Sequence, residues 1–252
     1  MSPDLSREIQ MTKYRKLITE ETWTKIIGRY NQLVHAGLAS KERKPFLPVG
    51  EPDFGKPGTK PYPALSVVFC GIAGGHVDGD AESLDDRILE IGTLLNGADR
   101  SHGSFWREIF DVRDQLKQEH GQDIHLGWAN ILAINNNRKG ADAPNDELVA
   151  AQKDLSLAVW SDLITRAGAD VVIATFNNEW FDLADPDDAG DDGRVWEPKH
   201  DGKLWLKRKA GALPHLIWVN HVRGRTRKSE PKAADITATI LSCFAETTKT
   251  SK

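Results

Sequence analysis

The chain of 252 residues is poor in cysteine, with only Cys70 and Cys243. Two thiols cannot build a disulfide framework, a four-thiolate zinc site or a four-cysteine iron–sulfur site. A reducing, cytoplasmic setting is the expectation. No run of 18 apolar residues occurs, which argues against a membrane-spanning helix. The opening segment, MSPDLSREIQMTKYRK, is polar and lacks the apolar stretch of a secretory signal. Internal repeats are absent, and so are the G-x-S-x-G elbow of serine hydrolases and the Lys-Ser/Thr ending of a phosphate loop.

What is present is bulk and uneven charge. Hydrophobic residues make up 39% of the chain, with 8 Trp and 8 Phe, enough for a sizeable core. The net charge of −4 argues against a generic nucleic-acid binder. Its distribution argues otherwise. Residues 182–192 hold six Asp and no cation, whereas residues 194–232 hold eleven Lys or Arg against three acids, a local net of +8. That asymmetry suggests a basic face, the plain alternative being a solvated surface.

Hydrophobic spacing predicts a helix over 18–37, with Thr19 or Thr22 as its cap and Trp23, Ile26, Ile27, Tyr30, Leu33 and Val34 recurring at helical spacing. A Pro- and Gly-rich arm follows over 45–64. The short apolar runs at Leu65–Gly71, Ile124–Ile134, Asp170–Thr175 and His215–Asn220 read as buried strands. Leu204–Lys207 reads as a short extra strand. Helices are expected near 84–95, over 104–119, as one long element over 146–167, and over 231–244. Strands alternating with helices predict an α/β fold, three-layer α/β/α with a central, mostly parallel four-stranded sheet. The expected organisation is an N-terminal helix and arm over 1–64, packed on a body over 65–252 that carries an acidic and basic insertion at 180–213.

In such folds ligands sit beyond the carboxyl ends of the strands. The residues there are GIAGG (Gly71–Gly75), Asn135–Arg138, Phe176–Asn178 and NHVRGR (Asn220–Arg225). The glycine loop permits close backbone approach to a ligand, or is only a tight turn. His76, Asp78 and Asp80 alternate after it and could ligate a metal, but helix capping by the two carboxylates is the favoured plain reading. The stretch DPDDAGDDG is not a calcium loop, because Ala189 and Trp196 stand where ligands are needed. His221 stands beside Arg223, Arg225, Arg227 and Lys228. A histidine there can donate to a developing anion while the basic loop grips phosphates.

These pieces, in this order over about residues 65–245, resemble the uracil-DNA glycosylase superfamily. VVFCGIAGG (Val67–Gly75) is similar to its G-L-A-P-G motif. WANILAINNNRKGADAPNDEL (Trp128–Leu148) is similar to its T-N-x-V-K-x-R-P-P-x-N-R segment, with Asn130 on the family's Asn and Asn137-Arg138 on its Asn-Arg. ADVVIATF (Ala169–Phe176) matches an apolar strand, and LIWVNHVRGR places His221 on the family's His. Ile72 departs from the branches that hold a water-directing group there, and Val222 replaces the usual Pro.

The resemblance implies an enzyme that flips a nucleotide out of DNA and hydrolyses its N-glycosyl bond, leaving an abasic site. Asn130 would read the base edge, with Gly71, Ile72 and Ala73 lining the pocket and Phe105, Trp106 or Phe176 stacking on the base. Asp78 or Asp80 would favour the cationic sugar or orient water, and His221 would stabilise the departing base. Asn137, Arg138, Arg223, Arg225, Arg227 and Lys228 would hold the DNA. No metal or cofactor is implied, and the expected partner of this monomer is DNA, not a membrane. The altered pocket motif and the extra segments at 1–64 and 180–213 suggest a modified pyrimidine, such as a glucosylated hydroxymethylcytosine of phage DNA, and hence a role in antiviral defence. The alternatives are a uracil-excising repair enzyme, a metal-dependent nuclease or phosphoesterase using His76, Asp78 and Asp80, and a non-catalytic nucleic-acid-binding module.

Overall fold

The computed structural model describes residues 11–12, 14–15, 17–39, 41, 45, 49–50, 65–73, 83–88, 104–120, 124–132, 134, 146–175, 195–208, 214–220 and 230–244. For Ile72 and Ala73 it describes the backbone alone. The helices with defined ends are α1 (Glu20–His35), α2 (Ser104–His120), α3 (Asp146–Ala150), α4 (Lys153–Ala167) and α5 (Ala233–Phe244), and the described residues within 11–17 and over 84–88 are also helical. The strands are β1 (Val49–Gly50), β2 (Leu65–Ala73), β3 (Ile124–Leu132), β4 (Val171–Thr175), β5 (Trp196–Lys199), β6 (Leu204–Lys207) and β7 (His215–Val219). They hydrogen-bond in the order β1-β3-β2-β4-β7-β6-β5.

The expected α/β class holds. The expected four-stranded, mostly parallel sheet does not. β2 with β4 and β4 with β7 are parallel, but β1 with β3, β5 with β6 and β6 with β7 are antiparallel. The sheet is therefore mixed and has seven strands. The reason lies in the connections. The tight turn His200–Gly202 can join β5 and β6 only as antiparallel neighbours.

The chain divides into two compact units that interleave in sequence. The first holds Met1–Pro52, Gly71–Gly97 and Trp128–Ala167. The second holds Asp53–Cys70, Ala98–Gly127 and Gly168–Lys252. Strands β2 and β3 each contribute residues to both.

In the first unit, α1 starts where Thr19 Oγ1 accepts from Thr22 N at 3.1 Å. Glu20 and Glu21 in its first turn complement the helix dipole. It ends where Gly37 takes φ +73°, which lets Leu38 N donate to Leu33 O at 2.8 Å. Its face Trp23, Ile26, Tyr30 and Leu33 is buried, and the helix packs on α4. The single helix expected over 146–167 is broken at 151–152 into α3 and α4. Alanine and glutamine are good helix formers, so tertiary contacts make this break. Arg29 Nη1 of α1 donates to Ala151 O, and the amide of Gln152 turns inward to the backbone of Ile134.

In the second unit, Val67–Cys70, Val171–Ile173 and Ile217 with Val219 are essentially inaccessible to water, as strands covered on both faces must be. Asp170 aligns their starts. Its Oδ2 accepts from Ser66 N at 2.9 Å, and its O accepts from His215 N at 2.9 Å. At the far ends Thr175 Oγ1 donates to Cys70 O at 3.2 Å. Cys70, Ala174 and Trp218 are in register; β4 and β7 each end one residue later, and β2 runs on to Ala73. Helices α2 and α5 pack on one another. Among the described residues, no helix is long and apolar enough to cross a membrane.

Candidate functional site

The site begins where the buried run of β2 gives way to Gly71. In the first unit, β3 places Asn130 against this glycine. Asn130 stands between Ala129 and Ile131, which are 0% and 1% exposed, and is itself only 5% exposed. Asparagine is a poor strand former, and a buried one needs a reason. Packing supplies part of it. A Cβ on residue 71 would lie 3.0 Å from Asn130 Oδ1, so only glycine lets the amide take this place without displacement. The other part is missing: Asn130 Nδ2 is buried and, among the described residues, has no hydrogen-bond partner. An unspent donor in apolar surroundings costs about 1–3 kcal/mol. A group held at such cost suits recognition, because a ligand acceptor would satisfy it.

Gln152 supports this strand from beyond its end. It is fully buried, its Oε1 accepts from Ile134 N at 2.8 Å, and its Nε2 donates to Ile134 O at 3.0 Å. Ser156 Oγ donates to the same Oε1 at 3.2 Å. The sequence carries no signal for this residue, because its partner is backbone 18 positions away.

Of the expected site residues, the structure brings Gly71 and Asn130 together. The backbone of Ile72 and Ala73 continues β2 beyond them. Phe105 is the second residue of α2, in the other unit, where it is half-buried with its ring 5.7 Å from that of Trp106 in an edge-on arrangement. Trp106 in turn lies 6.4 Å from Phe110, over whose face the Arg113 guanidinium stands at 4.6 Å. Asp78, Asp80, Asn137, Arg138, Phe176, His221, Arg223, Arg225, Arg227 and Lys228 lie outside the described residues. So does His76. Phe176 follows directly on the end of β4, and His221 follows Asn220 after β7.

The basic stretch of 194–232 is less free than its charge count suggests. Glu197 binds Lys199 at 3.0 Å and Arg208 at 2.9 Å. The hydrogen bond from Lys199 holds its carboxyl below the usual range; burial pushes the other way, and the hydrogen bond from Arg208 adds to the lowering. Lys203 pairs with Glu230 at 3.3 Å, and His200 approaches Asp235 at 3.3 Å. Lys207 is fully buried, 5.8 Å from the centre of the Trp196 ring. These cations serve the hairpin rather than an open basic face. Burial also pushes the Cys243 thiol up to about 11, and Cys70 is inaccessible. Neither is an activated nucleophile. Among the described residues, no group of three or more His, Cys, Asp or Glu is placed to hold a metal ion.

The chain matches no protein-family model and no curated protein.

Proposed function

We propose that the chain is a DNA glycosylase that flips out a non-standard pyrimidine and hydrolyses its N-glycosyl bond, leaving an abasic site. The observation that carries the reading is the buried, unpartnered Nδ2 of Asn130 against Gly71. Two motif residues 59 positions apart in sequence meet in one place, and the amide offers a donor to a base edge. In this reading the fold is a three-layer α/β/α arrangement like that of uracil-DNA glycosylases, and the protein acts on DNA in the cytoplasm as a monomer. Gly71, Ile72 and Ala73 line the base pocket. Phe105 or Phe176 stacks on the base. Asp78 or Asp80 favours the cationic sugar or orients water, and His221 stabilises the departing base. Asn137, Arg138, Arg223, Arg225, Arg227 and Lys228 hold the DNA backbone. The base is a modified pyrimidine such as glucosylated hydroxymethylcytosine of phage DNA, which places the enzyme in antiviral defence.

The test is incubation in EDTA with DNAs carrying uracil, other damaged pyrimidines or glucosylated hydroxymethylcytosine, followed by alkaline cleavage at abasic sites. Cleavage that depends on Asn130 and His221 supports the reading, and the panel identifies the base. Release of uracil alone makes it a repair enzyme. Cutting only on addition of a divalent metal moves the chemistry to His76, Asp78 and Asp80. Salt-sensitive DNA binding without any product leaves a binding module.

A further inference from the structure

Gln152 spends a fully buried, rotamer-rich side chain on the backbone of one residue, Ile134. Ile134 is 0% exposed and lies two residues past the last residue of β3. Its N–H and C=O are beyond the strand and away from water, and the Gln152 amide presents the matching acceptor and donor at 2.8 and 3.0 Å. The two bonds hold the two peptide groups that flank the Ile134 Cα, and so fix the backbone angles there as well as the distance, which a single bond would not. Gln152 is itself held. Its backbone N donates to Val149 O at 3.2 Å, its backbone O accepts from Ser156 N at 2.9 Å, and Ser156 Oγ donates to its Oε1. Arg29 of α1 donates to the preceding carbonyl, that of Ala151. The break between α3 and α4 is thus built around this side chain. The clamp lies four residues beyond Asn130 and immediately before residues 135–138.

We propose that Gln152 is a positioning residue for the Asn130 site, acting by clamping the exit of β3 at Ile134. The proposal rests on the glycosylase reading for its effect on rate, and on geometry alone for its effect on Asn130. A recognition amide tolerates about 0.5 Å of misplacement, and an error near 1 Å costs on the order of 10²-fold in rate. A residue that only stabilised the fold would not alter the rate of correctly folded protein.

The experiment compares the full chain with Gln152→Met, which keeps length and volume and loses both bonds. Ser156→Ala is the milder second variant should the first fold poorly. Two readouts are taken well below the unfolding temperature, with folding checked by circular dichroism. The first is the side-chain 15N–1H₂ resonance pair of Asn130, identified by its loss in Asn130→Asp. The second is the single-turnover rate of base release from the substrates above. The expected result is a shifted Asn130 pair, faster exchange of the Ile134 amide, and a rate about 10²-fold lower with DNA affinity little changed, the same changes being smaller in Ser156→Ala. Folded Gln152→Met with a wild-type Asn130 resonance and a rate within about threefold of wild type would overturn the proposal. If the wild-type protein releases no base from any substrate, the glycosylase reading fails, and the Asn130 resonance alone decides the clamp.

Discussion

Replacing Asn130 by leucine separates a recognition residue from a structural one. The two side chains have nearly the same shape, and the site is 5% exposed. The Nδ2 donor has no partner among the described residues, so the exchange removes a desolvation cost of about 1–3 kcal/mol and breaks no bond to that atom. The close approach of Oδ1 to Gly71 works the other way, because a methyl group is larger than an oxygen. The expected outcome lies between no change and a gain of about 3 kcal/mol, each kcal/mol raising the Tm by roughly 2–4 °C at this chain length. Base release should fall by about 10²–10³-fold, as when one preorganised donor is deleted from an active site. Thermal unfolding followed by circular dichroism gives the first quantity, and single-turnover excision gives the second. A variant destabilised by more than about 1 kcal/mol that still released base at the wild-type rate would show that the amide serves the fold, and would refute the reasoning.

Other outcomes follow from the same geometry. Gly71→Ala sets a Cβ 3.0 Å from Asn130 Oδ1, short of the 3.4 Å of ordinary contact, so the amide must retreat by a few tenths of an ångström. Overpacking of this kind costs about 1–3 kcal/mol. Excision should fall by more than DNA binding does, and equal rates in alanine variant and wild type would count against the contact. Glu197 is held below its ordinary value of 4.5 by Lys199 and Arg208, so its contribution is present above that value and disappears as pH falls through the lowered one. Because the group is 36% exposed, Glu197→Gln should lower stability at pH 6 by no more than about 1 kcal/mol, with the gap to wild type closing below pH 4. A gap that stays constant down to pH 3 would remove the ion pairs from the account. With its thiol pushed up to about 11, Cys243 is about one part in 10³ ionised at pH 8 and is 6% exposed. Both thiols should react with a disulfide reagent only after unfolding, and rapid labelling of native protein would contradict the burial.

The strands easiest to read in the sequence were those covered on both faces. LSVVFC, VVIAT and HLIWV are short, mainly apolar runs with Gly, Asp or Pro at one boundary, and the structure places β2, β4 and β7 there. Helix α1 was legible from its threonine cap and its 3.6-residue stripe. β5 was not, because WEPK contains a proline and two charges and pairs only as the outermost strand, through the turn at 200–202. Apolar runs therefore gave four main strands in a mostly parallel sheet and the short Leu204–Lys207, which the structure pairs antiparallel with β5 and β7. The break at 151–152 was hidden for a different reason: its cause is Ile134, far away in sequence. Charge counting registers cations and not their partners, and in the hairpin Glu197 alone engages two of them. At the site, Gly71 and Asn130 were readable as motif positions. Their contact, and the unspent donor that gives it meaning, exist only in three dimensions.

The most direct measurement of the central claim is mass spectrometry of the small molecules released from DNA in EDTA. A glycosylase yields a free base, in amounts equal to the abasic sites formed, from the wild-type protein and not from Asn130→Leu. Release of nucleotides or strand breaks without a free base, or equal release by the variant, would contradict it.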